Sequence, residues 1–281
     1  MSWVAVAKKD FRDASQSRAL WGLVVVFVGV ASLLAYAYAE FPTTIAETDE
    51  ASVGGLVFFM ASAVGLFVSL TAIVVCYKSI AGEREIGSIK LLLALPHTRR
   101  DVFVGKLVGR AGVLVAAVAV GLAVGYSIGF ALIGTVEVVP VLVFLLLTLV
   151  FTVAYVGIVV SISATTGSTT RATTLAIGFF LLFELVWDAI PMLLVYVVNG
   201  FSLPETMPDW VYLVTQVPPS SSYVLSLIAL LPDVADSVGT DSGAEEVDVF
   251  YATPELGFAI LLFWLVVPLA VGYYRFDAAD L

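Results

Sequence analysis

Glu184 and Asp188 stand inside an apolar run, and their spacing of four places both carboxylates on one face of a helix. Acids in such a run are costly and mark an ion or substrate pathway by default. A blander reading puts both in the outer half of the helix, facing water or a neighbouring helix. Other residue types point away from catalysis. His97 is the single histidine, which rules out a His-Glu-x-x-His zinc site and a Ser-His-Asp triad with an outer serine. Asp241-Ser242-Gly243 has no second copy to form an aspartic dyad. Gly105-Lys106-Leu107 lacks the hydroxyl and the leading glycine of a phosphate-binding loop, so this chain does not cradle nucleotide phosphates. There is one cysteine, Cys76, no distinctive cluster of metal ligands, and no interleaving of bases with aromatics that would suit nucleic acid. The chain is therefore expected not to be an enzyme and to hold no metal or cofactor of its own.

The elements that must position these acids follow from composition. The 281 residues are 60% apolar and 13% charged, with mean hydropathy +1.05, and several runs exceed the ~20 residues that cross a hydrocarbon core. The fold class expected is all-α, a multi-pass membrane protein in the lipid bilayer. All 13 bases fall on one side. Lys8, Lys9, Arg12 and Arg18 precede the first run. Lys78, Arg84, Lys90, Arg99, Arg100, Lys106 and Arg110 lie between the second and third, Arg171 between the fourth and fifth, and Arg275 after the last. The opposite loops carry acids only, including Glu40, Glu47, Glu137 and a tract from Glu205 to Glu255. The bias predicts cytoplasmic N- and C-termini in a plasma membrane. An acidic exterior with few lysines predicts a high-salt habitat, such as that of haloarchaea, where screening removes self-repulsion.

Six spans are predicted, at 19–39, 55–77, 106–134, 140–163, 172–190 and 256–274. Residues 1–18 read as an amphipathic helix in the interface, since Trp3, Ala7 and Phe11 share a face opposite Lys8, Lys9, Arg12 and Asp13. Pro191 is expected to kink or stop the fifth span. In 191–254, the apolar stretch Val211 to Leu231 is broken by Pro218-Pro219-Ser220-Ser221-Ser222. A seventh span would also place Arg275 outside. The region is therefore read as outer short helices or a re-entrant hairpin. Gly121, Gly125 and Gly129, with Gly105 and Gly109 before them, form a stripe that lets helices approach within one subunit or across a dimer seam.

Residues 78–103 carry the most patterned segment. It runs Gly82-Glu83-Arg84-Glu85-Ile86-Gly87-Ser88-Ile89-Lys90-Leu91-Leu92-Leu93-Ala94-Leu95-Pro96-His97-Thr98-Arg99-Arg100. Ile86, Ile89 and Leu93 have helical spacing, and Pro96 ends the helix. A short helix with one apolar face and charged ends suits a groove on another protein; a solvated loop that only sets topology is the alternative. Here the chain resembles the ABC-2 exporter permeases. The resemblance rests on the acids Glu83 and Glu85, Gly87-Ser88, the leucines Leu91, Leu92 and Leu95, Pro96-His97-Thr98-Arg99, and Lys106 opening the third span. Six spans, the amphipathic N-terminus and the outer region extend it over nearly the whole chain. The branch it looks closest to is labelled multi-copper enzyme maturation permeases, a loose label that names no substrate.

The resemblance implies a membrane subunit of an ATP-driven exporter. ATP and Mg would sit in a separate cytoplasmic ABC ATPase, contacted through Glu83, Arg84, Glu85, Gly87, Ser88, Lys90, Leu91, Leu92, Leu95, Pro96, Arg99 and Arg100. It also implies a second copy of the chain or a related permease. Two other readings stay open. One is an ion-coupled carrier built on Glu184 and Asp188. The other is a force-transmitting subunit acting on an extracytoplasmic partner.

Overall fold

A chain segment in hydrocarbon must satisfy its own backbone groups, and long apolar runs do so as helices. The computed structural model describes residues 3–42, 51–94, 98–204, 207–237 and 253–279. Among these, six helices are long and apolar enough to cross a membrane. In chain order the elements are α1 Trp3–Ser15, α2 Arg18–Glu40, α3 Val53–Cys76, α4 Ala81–Glu85, α5 Ser88–Ala94, α6 Arg99–Ile133 and α7 Val138–Ala164. Then follow α8 Thr169–Phe180, a π-helical turn Leu181–Val186, α9 Ala189–Val198, α10 Asp209–Thr215, α11 Pro219–Leu230, α12 Pro232–Ser237 and α13 Leu256–Asp277. Leu95, Pro96, His97, Asp241-Ser242-Gly243 and most of the acidic tract before Glu255 lie outside the described residues.

The six crossings are α2, α3, α6, α7, α8 with its π turn, and α13. α3 and α7 are the central pair: 61% and 67% of their most apolar windows are buried, against 17% in α2 and in the α8 segment. Their mutual core includes Leu56, Met60, Phe144, Phe151 and Tyr155, each essentially inaccessible. α2, α8 and α13 leave apolar faces outward, as helices meeting lipid or another subunit do.

Helix α6 opens at Arg99, seven residues before the predicted start near Lys106. Thr98 and Asp101 form a reciprocal capping box, which outweighs the cluster of charges read as loop. At 35 residues the helix is about 52 Å long, so it projects beyond a ~30 Å hydrocarbon layer. Its last turn closes on Gly134, whose φ of 80° is left-handed. The glycine stripe of α6 is taken up inside the subunit. A Cβ on Gly109 would stand 3.0 Å from the Ala7 carbonyl oxygen of α1, and one on Gly125 2.8 Å from the Ala31 Cβ of α2. Both helices therefore lie nearly in backbone contact with α6.

The fifth crossing ends at Val186 and gives way to turn residues at Trp187 and Asp188, just before Pro191. The proline falls in the first turn of α9, where a missing N–H is tolerated, and the helix runs on to Val198. Next, α10 and α11 meet at 106°. Pro219 occupies the first turn of α11, and two carbonyls beside the bend find indole donors: Trp187 Nε1 bonds Val214 O at 2.6 Å and Trp264 Nε1 bonds Val217 O at 2.7 Å. Contacts show that this pair does not cross. Asp10 touches Lys106 on the opening turns of α6, and Arg99 touches the last residues of α13. Both chain ends thus share one end of the bundle, and the number of crossings between them is even.

Candidate functional site

That shared end is basic, and four of its charges pair with one another. Lys106 Nζ lies 2.8 Å from Glu83 Oε1 and 3.4 Å from Asp10 Oδ1. Arg110 Nε lies 2.8 Å from Asp10 Oδ2, and its Nη1 donates to the Val75 carbonyl at 3.0 Å. Asp10 and Lys106 are only 6% and 3% exposed. Two acids and two bases make a neutral set, as burial demands. It ties α1, the segment after α3, and α6 together. Asp101 adds a second link by accepting the Trp3 backbone N–H at 3.1 Å.

The 78–94 segment folds back on the bundle by similar means. Ser163 Oγ accepts the N–H groups of Ile80 and Ala81 at 3.1 and 3.0 Å. Arg84 Nη1 donates to the Ala164 carbonyl at 2.9 Å, and Thr169 donates to Glu85 Oε2 through both its hydroxyl and its N–H. Glu83, Arg84 and Glu85 are therefore engaged with the subunit's own helices. Gly87, at φ 74°, makes the left-handed turn between α4 and α5, which L side chains rarely adopt. Beyond it Ile89 is fully buried, Leu92 and Leu93 pack on the core, and Ser88 lies beside the turn. Ile86 and Leu91 point outward, 78% and 75% exposed, with the exposed Lys90 between them in sequence.

Arg99 has a different task from Arg100. Its Nη1 reaches the carbonyls of Phe276, Asp277 and Ala279 at 3.0, 2.7 and 2.6 Å, capping the C-terminus of α13. Arg100 is exposed and lines a groove between α6 and α13. Arg99→Ala is expected to fray the last turn of α13, read as faster amide exchange over 274–279 with unchanged exchange in α7. Unaltered protection there would remove the cap.

The far, acidic end holds an open cavity of about 500 Å³ between α3, the π turn and the α10–α11 bend. Glu184 and Asp188 both line it, so the two acids paired by spacing do share one space. Glu184 sits in the π turn, a helical irregularity common at functional sites. The Tyr155 hydroxyl donates to its Oε1 at 2.9 Å, and Ser220 also bonds its carboxylate. Asp188 is more exposed, just past the turn. Sequence reasoning missed Ile86 as an outward side chain, Asp10 as the shared partner of Lys106 and Arg110, and Tyr155, Gln216 and Ser220 around the acids. A charge in the apolar-face register of α1 was the available signal for Asp10.

One end thus offers apolar side chains on a braced ledge, and the other a polar cavity. The profile of the ABC-2 family transporter protein matches residues 4–281. The chain belongs to the ABC-2 family. It is thereby related to the permeases of ABC-2 type transporters. Among curated proteins it is similar to the "Probable ABC transporter permease protein NosY" of Stutzerimonas stutzeri, 32% identical over 120 residues, and to the protein of the same name from Pseudomonas aeruginosa, 29% identical over 120 residues. Each match covers 41% of this chain and 41% of the relative.

Proposed function

We propose that Ile86 and Leu91, with Lys90 between them, are the contact through which a cytoplasmic ABC ATPase drives this ABC-2 permease. The observation that carries this reading is the pair of apolar side chains more than 70% exposed on a segment otherwise fixed to the bundle. Large exposed apolar groups flanked by charge suit a protein partner. The remaining residues of the segment divide the labour. Glu83, Arg84 and Glu85 hold the ledge rigid, Gly87 and Ser88 turn it outward, and Leu92 seats it. Arg99 acts as a brace, while Arg100 stands free for a partner or for lipid phosphate.

Force applied at α5 passes through Lys106 and Asp10 to α6 and α1 together. With the basic end in the cytoplasm of a plasma membrane, the push tilts α3 and α6 against a second permease copy or a related chain. The outward faces of α2 and α8 are the surfaces left for that partner. The product is export, with the cavity at Glu184 and Asp188 on the substrate path. The one-sided charge also fits a high-salt source.

Leu91→Cys tests the contact, because the native Cys76 is fully buried and leaves the new thiol as the reactive one. With a short cross-linker carrying a maleimide for that thiol and an active ester for a partner lysine, the permease is expected to join its ATPase. A pair that hydrolyses ATP together yet gives no adduct from Leu91→Cys would overturn the assignment.

A further inference from the structure

The cavity between α3, the π turn and the α10–α11 bend is lined by two carboxylates, a buried amide and several hydroxyls, with no cationic side chain. Glu184 and Asp188 supply the carboxylates. Gln216, 5% exposed, forms part of the wall, and its Oε1 has no hydrogen-bond partner among the described residues. A buried acceptor without a donor is destabilising, so this oxygen would gain from an N–H donor on a bound molecule. No ion pair among the described residues includes either acid. The sequence places every lysine and arginine at the other end of the bundle, so the chain brings no counter-charge here.

Size and lining narrow the missing partner. About 500 Å³ is in the range of small-molecule sites and far exceeds a bare metal ion. No group of three or more His, Cys, Asp or Glu able to hold a metal occurs among the described residues. Ala61, Leu66, Val224 and Ile228 give the cavity an apolar side. Tyr212 is the one aromatic residue in the lining, so an aromatic cage for a quaternary ammonium is lacking.

We propose that this cavity binds an alkylammonium group, an organic cation with N–H donors on an aliphatic stem. The ammonium bonds Glu184 and Gln216 Oε1, Asp188 adds long-range attraction at the mouth, and the stem lies on the apolar side. Only the transport step of the test rests on the reading that the cavity lies on the substrate path.

The full chain in phosphatidylcholine nanodiscs is titrated calorimetrically with 1,4-diaminobutane. Saturable binding is expected, weakened about tenfold or more in Glu184→Gln and about threefold in Asp188→Asn and Gln216→Leu, since charged hydrogen bonds outweigh neutral ones. Asp188 is exposed, so its variant keeps the test alive if Glu184→Gln fails to fold. Tetramethylammonium and Ca²⁺ are expected to bind at least about tenfold more weakly. Wild-type affinity in both acid variants overturns the proposal, as does Ca²⁺ binding more tightly than the diamine. With the ATPase in proteoliposomes, ATP-dependent movement of labelled diamine supports both readings. Binding without movement keeps the site and removes only its place on the path.

Discussion

Lys106→Met is expected to lower the stability of the subunit by about 3 kcal/mol, the cost scale for removing one partner from a buried ion pair. The lysine lies between two carboxylates, and its side chain is 4% exposed. Its loss leaves Asp10 to Arg110 alone and Glu83 with no cation. Glu83 is partly accessible, with a side chain 29% exposed, so water relieves some of the penalty and the value sits at the low end. The double variant Lys106→Met/Glu83→Gln restores neutrality while keeping the Asp10–Arg110 pair, and is expected to recover more than half of the loss. Thermal unfolding in detergent provides the comparison, with proteolysis of α1 as a local readout. A double variant no more stable than the single would show that the charges are not coupled.

Ile86→Glu/Leu91→Glu is expected to weaken the ATPase complex by about 30-fold or more, the loss of about 2 kcal/mol that marks an interface anchor. Both side chains are already solvated in the free subunit, so the change leaves its folding intact. Val198→Glu is the matched control: that residue is 86% exposed but lies at the end of α9, near the acidic end. Co-purification at moderate salt and stimulation of ATP hydrolysis are the measurements. Equal retention of the ATPase by the double variant and the control would place the contact elsewhere. Reversing Arg99 together with Arg100 is a poorer probe, because Arg99 caps α13 and its loss perturbs the fold.

The long helices were legible because their signal is local: about twenty apolar residues in a row can do little else in a bilayer. The pairing of Glu184 with Asp188 was legible for the same reason. The roles of Glu83, Arg84 and Lys106 were not, since their partners lie at residues 106, 164 and 10, and no local pattern names a partner so far along the chain. The early start of α6 was in principle readable from Thr98-Arg99-Arg100-Asp101, but the capping signal was hidden under charges assigned to a loop. The π turn left no mark in the sequence. It shows only in the backbone, where it places Glu184 among hydroxyls from α7 and α11.

The neutral cluster at the basic end also constrains biogenesis. Asp10 leaves the ribosome about a hundred residues before Lys106 and Arg110, the bases that neutralise it. Until then α1 has neither its counter-charges nor the glycine clefts of α6 in which to lie. The N-terminal helix must wait, wet and undocked, while α2 and α3 enter the bilayer. It can latch only after α6 has been inserted with Lys106 at the correct end. A nascent chain that inserts α6 upside down leaves α1 dangling and Asp10 unpaired, so the latch reports whether the first three crossings were threaded correctly.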